Sequence, residues 1–219
     1  MIKQISVIAF VSLLLLTGCG NKNDIKEIRK CYEGYKSSIL NQSGNAAVRF
    51  IDQNTISHYT TMLDYAKTIK SKELQKLPLI DKIAVLTIRH HATIEDLNAM
   101  DGKTLFIWAT NKGMLGDENL EKNTLGDVVV EKNKARGGIL LDEKNTPASL
   151  KFAKEQGWWK IDLTSTFKAA ETVMQILRKK TNMDEREFIF YMLEISSGKE
   201  VDQNIWYRPL EKPNIPDNN

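Results

Sequence analysis

The side chains of this sequence that could do acid–base chemistry are its three histidines and a few carboxylates near them. His58 lies between Asp52 and Asp64, and a histidine beside an aspartate can act as a general base in a dehydratase-like pocket. The spacing of His58 and Asp64, however, does not place both on one helical face. His90 and His91 lie about 100° apart on a helix, so they do not form the i, i+4 pair of a metal site. We therefore predict no catalytic set and no metal site, and we expect the histidine pair at a helix C-terminus.

Aromatic residues offer the alternative of an apolar ligand pocket. His58, Tyr59, Trp108 and Trp159 are the residues that we expect to line such a pocket. A place in the hydrophobic core is the simpler expectation for the two tryptophans. Asp162 alternates away from Trp159 on a predicted strand, so we expect a cross-strand polar pair on the outer sheet face rather than an isomerase base. The sequence has no phosphate-binding loop and no recognisable nucleophile motif, and we predict no cofactor.

The N-terminal segment carries a thiol whose context predicts the attachment of lipid. Residues 1–3 include one lysine, a largely apolar run covers residues 5–16, and the letters Leu16-Thr17-Gly18-Cys19 follow. A basic start, a short apolar run and a small-residue cleavage site describe a secretory signal peptide. The run is shorter than the roughly 20 residues of a membrane-spanning helix. The four-residue motif resembles the bacterial lipobox, which implies cleavage before Cys19 and a diacylglycerol on its sulfur.

The lipobox resemblance sets the expected location of the mature chain. It implies a signal peptide over residues 1–18, a short tether over residues 19–24, and an anchor at the membrane surface of the cell envelope through several acyl chains on Cys19. In a Gram-negative host, Gly20 after the cysteine favours the outer membrane, with the protein facing the periplasm. An ordinary cleaved signal peptide with an incidental cysteine is the alternative.

Composition limits the other classes of function. The sequence is 42% hydrophobic and 27% charged, which is typical of a globular protein. Removing residues 1–18 takes away only the charge of Lys3, so the formal net charge of +3 becomes +2. This near neutrality, without a basic tract, argues against a nucleic-acid partner. Cys31 is the second cysteine, and we expect a small buried side chain there rather than a reactive thiol.

Hydrophobic spacing predicts helices, then an antiparallel meander, then helices, which is an α+β arrangement. A segment over residues 46–51 is predicted as a short strand or an extended lead-in. The predicted helices cover residues 25–41, 54–70, 79–91, 102–112, 167–180 and 184–195, with a short one after a capped start at Thr93. The predicted strands cover residues 126–132, 137–141, 150–155 and 158–163, with a tight hairpin at Gln156-Gly157.

The predicted meander resembles the closing strands of nuclear-transport-factor-2-like domains, including the SnoaL-like and lumazine-binding-like bacterial lipoproteins. The resemblance rests on Gly126-Asp127-Val128-Val129-Val130 and on Gln156-Gly157-Trp158-Trp159-Lys160-Ile161-Asp162-Leu163. It implies a cone-like domain over residues 25–165, in which helices pack on a bent antiparallel sheet and leave a pocket between them. The helical extension and tail over residues 166–219 would then cover the pocket mouth or form an oligomer contact.

Three functions are compatible with this sequence. The first is a membrane-anchored, non-enzymatic protein that binds a small apolar ligand or an envelope protein partner, for example as a toxin-neutralising immunity lipoprotein. The second is an isomerase or dehydratase that uses an aspartate or a histidine in the pocket, because the resembled family includes both kinds of protein. The third is a structural component of the envelope.

Overall fold

The computed structural model describes residues 18–116 and 119–207, so residues 1–17 of the predicted signal peptide and the end of the tail lie outside the described residues. Within these ranges, helices precede and follow a run of consecutive strands, which confirms the predicted α+β class. The helices are α1 (Gly18–Leu40), α2 (Gly44–Ala47), α3 (Gln53–Thr68), α4 (Ser71–Leu74), α5 (Leu79–His91), α6 (Ile94–Ala99), α7 (Gly102–Asn111), α8 (Phe167–Thr181) and α9 (Glu185–Ser197). The strands are β1 (Asn123–Glu131), β2 (Lys134–Leu141), β3 (Lys144–Glu155) and β4 (Trp158–Asp162). Short 3-10 helices form at Leu120–Lys122, Leu163–Thr166 and Gln203–Trp206.

The strands form an antiparallel sheet in the order β1-β2-β3-β4. The predicted hairpin at Gln156-Gly157 joins β3 to β4, and both residues adopt a positive φ, of 50° and 86°. β3 begins several residues earlier than the sequence predicted. Its pairing with β2 shifts between Gly138 and Leu140, and Pro147 lies outside the paired residues there. A proline is tolerated at such an irregularity because it has no N–H to give to the ladder.

Helix α1 covers one face of this sheet. Its apolar side chains recur at helical spacing, and Ile28, Cys31 and Tyr32 are buried. They pack on the inward-facing side chains of the strands, among them Leu125, Leu150, Phe152, Trp159 and Ile161. We call α1 together with β1–β4 the sheet region.

Two short segments near the N-terminal side differ from the sequence prediction. Residues 19–24, expected as a tether, lie in the first turns of α1. The carboxylate of Asp24 accepts hydrogen bonds from Lys154 and Trp159, which hold this part of the helix against the sheet. Residues 46–51, expected to be extended, include the end of α2, and Ile51 alone forms a bridge, parallel to Ile161.

The helices from α3 to α9 pack around a second core, and we call them the helical region. Buried Met62 and Leu63 of α3 and Leu86 of α5 meet Phe188 and Ile189 of α9 in one cluster. The C-terminal helices, expected as an extension of the domain, therefore share the core of the helices that precede the sheet. Capping boxes start α6, as predicted at Thr93, and also α7 and α9.

A buried arginine joins three parts of the helical region. Arg89 of α5 is only 6% exposed, and its guanidinium donates hydrogen bonds to main-chain carbonyls at the end of α3 and in the last 3-10 helix. The acceptors are the oxygens of Ala66 at 3.0 Å, Ile69 at 2.8 Å, Trp206 at 3.1 Å, and Tyr65 and Ile205 at 3.2 Å. The exposed guanidinium of Arg186 lies over the ring of Trp206 at 5.2 Å. Trp206 therefore fixes the C-terminal segment against α5.

The approach of α7 to α3 in the helical region depends on a glycine. At Gly102, the first residue of α7, an added methyl group would overlap the Thr60 side chain and lie 2.6 Å from the Thr60 nitrogen. It would also lie 2.7 Å from the carbonyl oxygen of Ile56. Gly102 therefore lets α7 approach the backbone of α3, and this sets the spacing of two helices that line the candidate site.

Candidate functional site

A cavity of about 430 Å³ opens among α3, α5, α7 and α8, and we call it the helical cavity. Its walls are mainly apolar, because each helix turns an apolar stripe towards the others. The lining side chains include Met62, Ile83, Leu105, Trp108, Met114 and Phe167. The volume lies within the range of roughly 300–1,000 Å³ that is usual for small-molecule sites.

Two titratable side chains meet in the lining of the helical cavity. Nε2 of His58, on α3, lies 4.0 Å from Oδ1 of Asp81, in the first turn of α5. The side chains are 23% and 20% exposed, and the ring of Phe167 lies 4.5 Å from the imidazole ring. The separation of 4.0 Å is longer than a hydrogen bond, so the two groups do not satisfy each other. Each can therefore form a hydrogen bond to a third polar atom placed beside them.

The apolar surroundings shift both groups towards their neutral forms. Burial lowers the pKa of His58, although the charge of Asp81 acts in the opposite direction. Burial also raises the pKa of Asp81, with the charge of His58 opposing the shift and that of Glu171 adding to it. Tyr59, which packs edge-on against Phe106, has its pKa raised by burial. At neutral pH the cavity therefore presents a neutral imidazole, which can donate or accept one hydrogen bond.

The structure brings together three of the four predicted pocket residues. His58, Tyr59 and Trp108 all line the helical cavity. Trp159 does not, and it lies instead in the hydrophobic core, the simpler expectation for this ring. Its ring is 5% exposed and packs in the core beneath α1, and its Nε1 donates to Asp24 at 2.9 Å. The alternation of β4 turns this ring towards α1, while the helical cavity lies among helices and not between helices and sheet as the family resemblance implied.

The carboxylate partner of His58 is one that sequence reasoning missed. Asp52, one of the two candidates, is the N-cap of α3, and its Oδ1 accepts bonds from the Thr55 nitrogen at 2.9 Å and hydroxyl at 2.8 Å. Asp64, the other candidate, lies six residues along α3 from His58, which places it on a different face of the helix. Asp81 has the sequence signature of an ordinary acidic residue in a first helical turn, and only the packing of α5 on α3 brings it to His58.

The remaining sequence candidates lie at places that indicate a structural role. His90 and His91 end α5, as predicted, with ring centroids 4.7 Å apart. Asp162 lies opposite Lys151 in the β3–β4 register, as expected of a cross-strand polar pair. Among residues 18–116 and 119–207, no group of three or more histidine, cysteine or acidic side chains is arranged to hold a metal ion.

A second concavity lies beside the first turns of α1 and the β3–β4 hairpin, and we call it the anchor-side hollow. It is more polar than the helical cavity, and its walls include Asp24, Lys30, Arg49, Lys154, Trp158 and Trp159. The Asp24 carboxylate accepts from Lys154 Nζ at 2.8 Å, and this ammonium also lies 5.5 Å from the centre of the Trp159 ring. The Lys154 and Trp159 hydrogen bonds, acting against burial, lower the pKa of Asp24.

The free thiol of Cys31 lies at the base of the anchor-side hollow. It is 5% exposed, and its Sγ donates to the carbonyl oxygen of Phe50 at 3.7 Å. Burial raises the pKa of this thiol to about 12, so the reactive thiolate does not form at neutral pH. This agrees with the expectation of a buried apolar side chain.

Comparison of the chain with protein-family models, with curated proteins and with solved structures finds no significant match. In the part of the chain that the structure describes, no helix combines the length and the apolar character needed to cross a bilayer.

Proposed function

We propose that this chain is a lipid-anchored, non-enzymatic envelope protein that binds a small, largely apolar molecule in the helical cavity. The single observation that carries the proposal is the cavity itself, about 430 Å³ of mainly apolar space between four helices. Water against apolar walls of this kind finds few hydrogen-bond partners, so the walls are better covered by an apolar molecule. An apolar ligand would gain free energy by filling it.

The polar pair limits which ligands would fit best. His58 and Asp81 lie side by side in walls that are mainly apolar, so a ligand with one hydroxyl or carbonyl group can satisfy them while its apolar body fills the rest. An anionic ligand would meet the Asp81 carboxylate in these apolar surroundings, and a cationic ligand would have that carboxylate as its single acidic partner in the lining. The expected ligand class is therefore an apolar ring or chain with one neutral polar group.

The lipid anchor rests on the lipobox-like letters Leu16-Thr17-Gly18-Cys19. Its direct test is the mass of the N-terminal peptide of the mature protein. A diacylglycerol on Cys19 supports the anchor, and an unmodified cysteine contradicts it. This measurement is independent of ligand binding.

A matched pair of substitutions tests the cavity. Ala170 lines it, and its neighbour Ala169 is exposed on the same helix. We expect 2-naphthol to raise the thermal midpoint of the full-length protein in phospholipid nanodiscs, because a ligand that binds only the folded state stabilises it. Ala170→Phe places a ring in the cavity and should abolish the shift, whereas Ala169→Phe should retain it.

Partition of 2-naphthol into the lipid is the same for all three proteins, so a difference between them reports on the cavity. Protease resistance as a function of temperature, read on a denaturing gel that separates this chain from the nanodisc scaffold protein, provides the midpoints. Equal shifts in all three proteins would contradict the proposal. Naphthalene, which lacks the hydroxyl, should give a smaller shift than 2-naphthol if His58 and Asp81 bind the polar group.

An isomerase or dehydratase is the second candidate, and the His58–Asp81 pair is the observation that favours it. A neutral histidine in an apolar cavity can accept a proton from the carbon next to a carbonyl, with the aspartate orienting the ring. Such a base would exchange this proton for deuterium from solvent. Exchange into a panel of cyclic ketones, seen by NMR for the native protein but lost in His58→Gln, would favour the enzyme over a binding protein.

A further inference from the structure

The most exposed large aromatic ring of the described residues lies on the β3–β4 hairpin. Trp158 is 70% exposed, while its neighbour Trp159 is 5% exposed. The alternation of a strand explains the difference, because successive side chains point to opposite faces. An indole ring that is exposed to water makes few packing contacts. The groups around Trp158 therefore indicate which kind of partner could cover its ring.

The hairpin is held close to the predicted anchor. Asp24 of α1 is bonded to Lys154 of β3 and to Trp159 of β4, and Asp24 lies five residues after Cys19. Five residues of helix extend about 7.5 Å. Because residues 19–24 are helical and not a flexible tether, lipid on Cys19 would hold the hairpin beside the bilayer surface.

The side chains around Trp158 also suit the headgroup layer. The anchor-side hollow contains four cations, Lys30, Arg49, Lys154 and Lys160, against the two carboxylates Asp24 and Glu27. The Glu27 and Asp24 carboxylates are paired with Lys30 and Lys154. Glu155, opposite Trp158 in the register, bonds to the main-chain nitrogen of Gln53 at 3.0 Å. This leaves a net positive charge, which is attracted to anionic lipid.

We propose that the β3–β4 hairpin is a second membrane contact, which inserts Trp158 into the headgroup layer and fixes the orientation of the domain on the bilayer. This inference rests on the lipid anchor of the proposed function. Tryptophan is enriched at membrane interfaces because its ring is apolar and its N–H can bond to headgroups. One lipid anchor allows the domain to rotate, and a second contact 1–2 turns of helix away restricts that rotation.

Fluorescence quenching tests the contact. The full-length protein is reconstituted into phosphatidylglycerol vesicles whose acyl chains are brominated close to the ester groups, since bromine quenches only indole rings that it approaches. We expect quenching in the native protein and the loss of most of it in Trp158→Phe. Trp206→Phe is the matched control, because the Trp206 ring is 5% exposed in the helical region, and it should leave the quenching unchanged.

Absence of quenching in the native protein would overturn the second contact, and so would quenching that persists in Trp158→Phe. The mass of the Cys19 peptide from the same sample reports the anchor separately. A lipidated Cys19 without quenching would leave the anchor in place and remove the hairpin contact. An unmodified Cys19 would remove the anchor, and the quenching result would still decide whether Trp158 meets lipid.

Discussion

The helical region and the sheet region each pack apolar residues into a core, but the concavities that they leave differ in polarity. The helical region keeps an apolar cavity with one polar pair, His58 and Asp81. The sheet region buries one apolar face beneath α1 and leaves a charged concavity at its edge. The exposed ring of Trp158 and the empty apolar space lie in separate regions, so ligand binding and membrane contact can be tested separately.

The two regions also differ in how their backbones approach one another. The strands of the sheet are spaced by main-chain hydrogen bonds. A slightly larger side chain on the outer face of the sheet can therefore be accommodated without moving a strand. Helices α3 and α7 are spaced by side chains, and at Gly102 there is no side chain at all. A methyl group added at Gly102 should therefore have a larger effect than one added at Gly138 of β2, which meets no atom within 4 Å.

The largest effect is expected from Arg89→Met, which keeps an apolar stem but removes the guanidinium. Several main-chain carbonyls lose their charged donor, and we expect the free energy of unfolding to fall by about 3 kcal/mol. Urea denaturation measures the change. Arg186→Met, which loses exposed contacts with the Phe190 and Trp206 rings and an exposed hydrogen bond to Gln203, should lower it by less than about 1 kcal/mol. Equal losses would show that Arg89 does not join α3 to the C-terminal segment.

A smaller effect is expected from a glycine pair that compares the regions directly. Gly102→Ala forces α7 away from α3, and we expect a loss of about 2 kcal/mol in the free energy of unfolding. An added methyl group at Gly138 of β2 meets no atom within 4 Å, so Gly138→Ala should change it by no more than about 0.5 kcal/mol. Denaturation of both variants under the same conditions provides the comparison. A larger loss in the free energy of unfolding for Gly138→Ala than for Gly102→Ala would contradict the expectation.

The smallest effects are expected in the dependence of stability on pH. Burial lowers the pKa of His58 below its ordinary 6.5, so the folded state binds fewer protons and loses stability as pH falls below 6.5. His58→Gln should reduce this loss. His91, whose pKa burial also lowers, contributes in the same direction, so His91→Asn should reduce it further.

Asp24 in the sheet region should respond at lower pH. Hydrogen bonds from Lys154 and Trp159 lower its pKa, so its stabilisation is present above the ordinary value of 3.8 and is lost as pH falls through the folded value. Asp24→Asn should therefore be less stable than the native protein at neutral pH, with a difference that disappears in acid. If the difference in stability between Asp24→Asn and the native protein stays constant with pH, the proposed role of the Asp24 carboxylate is contradicted.

Much of the fold could be predicted from local patterns. The predicted helix over residues 79–91 has the bounds of α5, because Pro78 limits its start and apolar residues recur at helical spacing. The Gln156-Gly157 hairpin was predicted from its turn residues. The start of β3 was predicted too late, since turn-forming residues around Pro147 indicate a loop and only the pairing with β2 makes them a strand.

The candidate site could be predicted only in part. His58 and Tyr59 are neighbours on one helix, and Trp108 shares the apolar character of their surroundings, so residue type alone was informative for these three. Asp81 is more than twenty residues from His58 in the chain, and no local pattern relates them. No local pattern relates Trp159 to α1 either, because its place under this helix follows from the contact between α1 and β4.

By itself the sequence determined the class of fold and the order of its elements, because hydrophobic period and turn residues act over a few neighbouring positions. Only the tertiary structure decided where the apolar space remains, which carboxylate meets His58, and that Trp158 lies beside the start of α1. These depend on how elements distant in the chain approach one another, and close packing fixes that approach through residues such as Gly102 and Arg89.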